Sequence, residues 1–171
     1  MTTIRIREGC PDDIPVILGL LDGAVEWLVA QGRTRQWGTR PWSANAKAVR
    51  LVHEYTAKGV PYIAEIGGVP AGTLTLSKGP GDYLEPAGEP ERYVHLFASD
   101  HRFQGRGVGA ALLAHAAEET RRAGISLLRV DCYAGDDGKL VRYYEGNGFT
   151  RTETFTAGED KWPGQVLARR L

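Results

Sequence analysis

The chain has 171 residues, of which 42% are hydrophobic and 25% are charged, an ordinary composition for a globular protein. A chain of this length is expected to form a single domain, here spanning residues 1–171. The formal net charge is zero, which argues against a general nucleic-acid-binding protein, because such proteins need excess positive charge to attract phosphates.

The first elements predicted are a strand and a helix. Ile4 and Ile6 alternate with arginines, which is the period of a half-buried strand. Pro11 is followed by two aspartates, a combination that favours a helix N-terminus. Apolar residues then recur at helical spacing, so this helix is expected to run to about Gln31, with Gly32 as its stop signal.

A second helix and a hairpin complete the amino-terminal part, residues 1–78. Ser43 is expected to cap the second helix, because a serine hydroxyl can accept a hydrogen bond from an unpaired amide of the first turn. Gly67-Gly68 then separates two apolar runs, 60–66 and 69–77, which is the signal of a two-residue hairpin. A loop rich in glycine, proline and acid follows.

The second half alternates strands with helices. We expect, in chain order, a strand at 93–98, a helix at 107–123, a strand at 126–133, a short helix capped by Asp136 or Asp137 and ending at Glu145, and closing strands at 149–155 and 165–170. This interleaving of helices and strands indicates a mixed α/β (α+β) fold class in one domain.

Nothing in the sequence indicates a metal site or a membrane segment. The two cysteines, Cys10 and Cys132, are far apart and the histidines are scattered, whereas a structural zinc site needs four clustered nitrogen or sulfur ligands. The first residues lack the apolar core of a signal peptide, and no apolar run approaches the roughly 18 residues of a membrane span. We therefore expect a cytoplasmic protein that needs no metal.

The sharpest local feature is a glycine-rich turn, Gln104-Gly105-Arg106-Gly107-Val108-Gly109, between a predicted strand and a strongly helical run. Glycines let the backbone approach a ligand closely, and the first turn of a helix offers unpaired N–H groups to an anion such as phosphate. A tight connection without a ligand is the alternative. The spacing does not fit a P-loop or a Rossmann fingerprint.

Two motifs in this half are similar to those of the GCN5-related N-acetyltransferase (GNAT) superfamily. Gln104, Gly107 and Gly109 match its Q/R-x-x-G-x-G/A signature, and residues 144–149 resemble its Y-E-x-x-G-F element. The resemblance implies a central mixed, mostly antiparallel twisted sheet of about 6–7 strands with a splayed parallel pair and about four flanking helices, a cofactor-binding core at 92–149 and closing strands at 150–171. It also implies an enzyme, an acyl-CoA-dependent N-acyltransferase.

The resemblance further implies where acetyl-CoA would bind. The amides of the turn would hold the pyrophosphate, and the pantetheine arm would pair with the edge of the preceding strand. The residues implied in cofactor binding are Leu96, Phe97, Ala98, Gln104, Gly105, Arg106, Gly107, Val108, Gly109, Asp137 and Tyr144. Asp137 stands where many relatives carry an asparagine; an aspartate accepts the same hydrogen bonds and caps a helix but cannot donate.

Tyr144 and His95 are the candidate catalytic residues. Tyr144 occupies the position at which many relatives place a tyrosine near the CoA sulfur, so the resemblance implies a general acid; packing alone is the other interpretation. His95 lies on the strand implied in cofactor binding and has an intrinsic pKa suited to a general base. Other interpretations remain open: His95 only packs, the base is Glu65 or Asp131, a water molecule relays the proton, or there is no dedicated base.

The sequence says least about which molecule accepts the acyl group. Trp37, Trp42, Tyr83 and Asp131 are candidate substrate-binding residues, because aromatic faces beside carboxylates suit an alkylammonium. This composition favours the primary amine of a small molecule, and the resemblance implies that the amine attacks acetyl-CoA directly in a ternary complex. A protein N-terminus or lysine is an alternative acceptor, and a non-catalytic acyl-CoA sensor is an alternative of another class. Relatives are frequently dimers, so a homodimer is also open.

Overall fold

The computed structural model describes residues 3–171, which form seven β-strands and four α-helices. In chain order the elements are β1 (Ile4–Glu8), α1 (Ile14–Ala30), α2 (Ala46–Lys58), β2 (Val60–Ile66), β3 (Val69–Ser77), β4 (Arg92–Ser99), α3 (Val108–Arg122), β5 (Leu127–Tyr133), α4 (Lys139–Glu145), β6 (Thr150–Ala157) and β7 (Trp162–Arg170). Three short 3-10 turns lie at Pro11–Asp13, Trp42–Ala44 and His101–Phe103.

The strands form one sheet in the order β1-β2-β3-β4-β5-β7-β6. Strands β4 and β5 are parallel, with Arg92 opposite Leu128 and Tyr93 opposite Arg129. The pairs β1–β2, β2–β3, β5–β7 and β6–β7 are antiparallel. The expected mixed, mostly antiparallel sheet with one parallel pair is confirmed, whereas a splay of that pair stays a prediction.

The chain divides into two compact units, which are described separately. The first contains the described residues up to Ser77 together with His95–Ala116, and the second contains Lys78–Val94 together with Ala117–Leu171. The expectation that residues 1–171 form a single domain stays a prediction.

The core of the first unit lies between α1, α2 and the sheet. Ile17 and Leu21, one helical turn apart on α1, are fully buried with Val52 of α2 and Ile63 of β2. Burial of each such side chain contributes roughly 1.5–3 kcal/mol. Leu96 of β4 belongs to the same cluster. The amphipathic faces of the two helices thus hold β4 in place from one side of the sheet.

The expectation that Ser43 caps the second helix is wrong. Helix α2 begins at Ala46, and its cap is Asn45, whose Oδ1 accepts a hydrogen bond from the Lys47 amide at 3.0 Å. Ser43 lies within the preceding 3-10 turn, where its amide and its hydroxyl both donate to the carboxylate of Asp22. Both residue types are good caps, so the choice depends on the residue at which the turn ends, which local propensity leaves open.

A buried ion pair organises the second unit. Arg129 of β5 and Glu91 have side chains only 7% and 2% exposed, and the Arg129 Nε lies 2.6 Å from Oε1 of Glu91. The guanidinium also lies over the ring of Tyr93, 5.3 Å from its centroid. Removing one partner of such a pair leaves a buried charge uncompensated, at a cost of roughly 3–5 kcal/mol. The pair therefore fixes the loop before β4 onto β5.

Candidate functional site

The glycine-rich turn forms an accessible backbone surface in front of α3. Gly105 and Gly107 have φ values of 81° and 78°, in the left-handed region that favours glycine. A Cβ built on either residue would meet nothing within 4 Å, so the space beside the turn is open. Because α3 begins at Val108, its first amides have no partner within the helix and point toward this turn. The turn therefore has the geometry of an anion site.

The two arginines near the turn differ in the charge they offer. Arg102 is paired with Asp100, with Nη2 lying 2.7 Å from Oδ2, and the hydrogen bond from Arg102 lowers the pKa of Asp100 below its usual range. Arg106 is exposed, and its guanidinium lies 5.6 Å from the ring centroid of Phe103. The positive charge available at the turn thus comes mainly from Arg106.

Strand β4 contains a backbone distortion at Leu96. Its φ is 51°, a left-handed value inside a strand, where a residue with a Cβ pays roughly 1–2 kcal/mol. The Leu96 side chain is held in the hydrophobic core of the first unit, which keeps the conformation in place. A distortion of this kind turns backbone groups out of the regular ladder and makes them available to a ligand. No glycine or asparagine marks the position in the sequence.

His95 is buried and stacked. Its ring centroid lies 4.0 Å from that of Tyr55 on α2, with an angle of 20° between the planes, and the residue is 7% exposed. The His95 ring therefore packs against α2, as the packing interpretation expects. A role as general base stays a prediction, and the sequence offered no sign of Tyr55 as its partner.

Tyr144 lies on α4 in the second unit and is 5% exposed. Its ring meets that of Phe149 edge to face at 5.9 Å. Burial, followed by the nearby Cys132, raises the pKa of Tyr144 well above its ordinary value, so its phenol keeps its proton at neutral pH. The neighbouring Tyr143 is 40% exposed. Of the two tyrosines, Tyr144 is the one shielded from water.

The expectation that Asp136 or Asp137 caps the short helix is wrong, because the N-cap of α4 is Gly138, which has a left-handed backbone and no side chain to cap with. Asp137 lies one residue before this cap. Its Oδ1 accepts a hydrogen bond from the Lys139 amide at 3.0 Å, and its backbone carbonyl accepts one from Nη1 of Arg142 at 2.8 Å. The second candidate cap, Asp136, is an exposed residue with a positive φ of 57°. A contact between Asp137 and a cofactor stays a prediction.

Trp37 and Trp42 come together in the first unit. Their ring centroids are 5.9 Å apart and the planes are inclined by 59°. Both line an open pocket of about 540 Å³. The other residues that line it are Gly38, Thr39, Arg40, Asn45, Lys47, Ala48 and Leu51.

Tyr83 and Asp131 come together in the second unit. The Tyr83 hydroxyl donates to Oδ2 of Asp131 at 2.6 Å, and the Tyr93 hydroxyl donates to the same oxygen at 2.6 Å. Burial, followed by the charge of Asp131, raises the pKa of Tyr93, so this phenol remains a donor. Asp131 is half-buried and engaged by these phenols, not fully solvated. Tyr93 was not among the sequence candidates, because its link to Asp131 depends on the parallel register of β4 and β5.

Residues 3–171 contain no group of three or more histidine, cysteine, aspartate or glutamate side chains arranged to hold a metal ion. Among the helices of this described part, none combines the length and the apolar character needed to cross a bilayer. The expectation that no metal takes part in the function stays a prediction.

Comparison with known proteins gives matches at both the sequence and the structure level. Residues 29–149 match the model of the Acetyltransferase (GNAT) family. The sequence is 29% identical over 157 residues to the uncharacterized N-acetyltransferase YesJ of Bacillus subtilis (strain 168), covering 82% of this chain and 79% of that protein.

Solved structures of two bacterial proteins share the fold. A GCN5-related N-acetyltransferase from Rhodopseudomonas palustris superposes with a TM-score of 0.74 at 19% identity, covering 100% of this chain and 98% of that one. The putative acetyltransferase yncA of Salmonella typhimurium, solved with its cofactor acetyl-CoA, superposes with a TM-score of 0.68 at 19% identity, covering 98% and 94%.

Proposed function

Because the chain belongs to the GNAT family of acetyltransferases, we propose that it transfers an acetyl group from acetyl-CoA to the primary amine of a small molecule. The observation that carries this proposal is the open glycine turn in front of α3. This turn suits the pyrophosphate of coenzyme A, because it combines left-handed glycines, the unpaired amides of the first helical turn and the exposed Arg106.

The residues present fit the coenzyme at a second point. The left-handed backbone at Leu96 turns peptide groups of β4 away from the strand ladder, and such groups can pair with the amides of a pantetheine arm. The residues proposed to bind along this strand are Leu96, Phe97 and Ala98. The residues proposed to bind at the turn are Gln104, Gly105, Arg106, Gly107, Val108 and Gly109.

When bound, acetyl-CoA would supply an activated acyl thioester. The backbone N–H groups near Leu96 are proposed to donate to the oxygen on which negative charge develops. The Tyr144 phenol, which its burial keeps protonated, is proposed to donate a proton to the departing sulfur. Nε2 or Nδ1 of His95 is proposed to accept the proton of the amine, directly or through water. Asp137 is proposed to contact the pantetheine arm as an acceptor only.

A small acceptor is favoured by the pocket beside Trp37 and Trp42. Its volume of about 540 Å³ lies within the range usual for small-molecule sites. Tyr83 and Asp131 are also proposed to contact the acceptor. A protein N-terminus or lysine as acceptor would instead require a groove long enough for an extended chain.

The test compares two substitutions at the turn that differ only in charge. Gly107→Glu and Gly107→Gln impose the same backbone strain at φ 78°, but only the first adds negative charge. Gly124→Gln places the same strain after the other end of α3, where φ is 73° and the space is also open. Binding of acetyl-CoA is measured by calorimetry, and thermal unfolding shows whether each variant is folded.

We expect the parent protein and Gly124→Gln to bind acetyl-CoA, Gly107→Gln to bind it more weakly, and Gly107→Glu to lose binding. A screen of primary amines for turnover follows. No binding by the parent would contradict the transferase proposal, and binding without turnover of any amine would favour the non-catalytic sensor. If Gly107→Glu and Gly107→Gln bind acetyl-CoA equally well, the pyrophosphate does not bind at this turn.

A further inference from the structure

Asp131 presents one carboxylate oxygen that the protein itself does not use. Its Oδ2 accepts the hydroxyls of Tyr83 and Tyr93, each at 2.6 Å. Among residues 3–171, no group donates a hydrogen bond to Oδ1 and no Lys, Arg or His forms an ion pair with this carboxylate. The two phenols therefore orient the carboxylate and leave Oδ1 available, with the negative charge of Asp131 uncompensated.

An aromatic row lies in the same unit. Tyr83 stacks on Phe155 with ring centroids 5.5 Å apart, and Trp162 lies 6.2 Å from Phe155 and 5.5 Å from Tyr133. A Cβ at Gly164 would come within 2.3 Å of the Phe155 ring, so the ring rests directly on the backbone of β7. The row is thus fixed by a glycine that leaves room for it.

The carboxylate and the aromatic row are neighbours on β5. Asp131 and Tyr133 are two residues apart on one strand, so their side chains stand on the same face about 7 Å apart. The adjacent cation on that face, Arg129, is held by Glu91 at 2.6 Å and is not available to neutralise Asp131. This side of the sheet therefore places a negative charge near aromatic rings, of which Trp162 is partly exposed and Tyr133 is buried.

We propose that Oδ1 of Asp131, together with the rings of Tyr133 and Trp162, binds an organic ammonium group of the acceptor. The carboxylate attracts the positive charge and accepts an N–H hydrogen bond, and the ring faces attract the cation through their quadrupoles. A neutral or anionic group would leave the charge of Asp131 unpaired. The assignment of this ammonium to an acceptor rests on the proposed transferase function, whereas cation binding itself does not require coenzyme.

The test measures binding of simple probes to the full chain without acetyl-CoA. The probes are n-butylammonium, 1-butanol and butyrate, which share an alkyl chain and differ in the charge of the end group. The indole N–H signals of the protein are followed by NMR, and Trp162→Phe identifies the signal of Trp162. We expect saturable shifts of this signal with butylammonium and none with the alcohol or the carboxylate.

Two matched variants test whether the charge of Asp131 itself, and not the overall negative charge of the second unit, binds the ammonium. Asp131→Asn keeps the size of the side chain and can still accept the phenol hydrogen bonds, and we expect it to weaken butylammonium binding about tenfold or more. Glu153→Gln removes another carboxylate, one that lies 3.8 Å from Arg129 and is mostly exposed. This control should bind butylammonium like the parent.

The proposal is overturned by equal shifts with all three probes, by equal binding in Asp131→Asn and the parent, or by equal losses in the two carboxylate variants. If Asp131→Asn does not fold, Trp162→Leu replaces it; because this variant lacks the Trp162 indole, its butylammonium binding is compared with that of the parent by calorimetry, and it should also be weaker. Because no coenzyme is present, butylammonium binding would survive a failure of the glycine-turn test. Conversely, a variant that loses butylammonium binding should still bind acetyl-CoA.

Discussion

His95 and Tyr55 form a parallel ring stack, with centroids 4.0 Å apart, that ties strand β4 to helix α2. The histidine immediately precedes Leu96, whose left-handed backbone interrupts the strand. The stack therefore immobilises the residue beside the distorted peptide. The ring of His95 contributes to packing, whereas proton transfer would use its nitrogens, so the two roles can be tested separately.

Replacing the partner of the stack tests the packing role. We expect Tyr55→Leu to lower the free energy of unfolding by about 1 kcal/mol, because aromatic pairs contribute about 0.5–1.5 kcal/mol beyond their buried area. His95→Gln should lose a similar amount and should also remove the acidic limb of the kcat/KM profile, which Tyr55→Leu should retain. Denaturant unfolding and a pH profile give the two readouts. An acidic limb that persists in His95→Gln would assign the base to another group or to water.

Tyr144→Phe tests the proposed general acid. The ring and its contact with Phe149 are retained, so acetyl-CoA affinity and thermal stability should change little while kcat falls by about 100-fold or more. Because the pKa of Tyr144 is raised, its phenol should not contribute a loss of activity as the pH rises toward 10.

Tyr143→Phe is the matched control, since Tyr143 is the adjacent and more exposed residue. We expect it to retain kcat. Equal losses in both variants would indicate packing of α4 and not proton donation, and an unchanged kcat in Tyr144→Phe would exclude the acid role.

The cap of α2 provides a stability prediction. Asn45→Ala removes the side chain that accepts from the Lys47 amide and should cost about 1 kcal/mol. Asn45→Asp keeps an acceptor at the same position and should restore most of the loss. Urea midpoints of the three proteins measure the effect. Equal losses in Asn45→Ala and Asn45→Asp would show that the cap oxygen is not what stabilises the helix.

The pair formed by Arg7 and Asp13 predicts a pH-dependent stability. The two guanidinium nitrogens donate to the Asp13 oxygens at 2.9 and 3.1 Å, and this hydrogen bonding lowers the pKa of Asp13 below its ordinary value. A carboxyl group whose pKa is lower in the folded state stabilises the fold above its unfolded pKa of about 3.9, and this contribution disappears as the pH falls through the folded pKa.

Asp13→Asn should therefore be less stable than the parent near neutral pH, with a difference that shrinks below about pH 4. Urea unfolding of both proteins at a series of pH values measures this difference. A difference that stays constant down to the lowest pH would assign the loss to altered packing of the asparagine, not to the ionised carboxylate.

Most of the elements were predictable because their signals are local. The alternation around Ile4 and Ile6, the hairpin glycines Gly67 and Gly68, and the apolar spacing of α1 each act within a few residues, and all three elements are present. The glycine turn is of the same kind, since Gly105 and Gly107 adopt the left-handed conformation that their residue type favours. Family membership also followed from local motifs.

The pairings within the candidate site were not predictable in this way. Tyr83, Tyr93 and Asp131 lie far apart in the sequence, and their shared hydrogen bonds depend on the register of β4 against β5 and on the path of the loop before β4. The stack of His95 on Tyr55 likewise depends on where α2 packs.

By itself the sequence determined the elements, the glycine turn and the family motifs, because backbone preference and hydrophobic period are properties of neighbouring residues. Only the tertiary structure decided that Leu96 is left-handed and that Asp131 keeps one oxygen available. Packing forces on Leu96 a backbone conformation that its own propensity disfavours, and strand register selects the partners of Asp131.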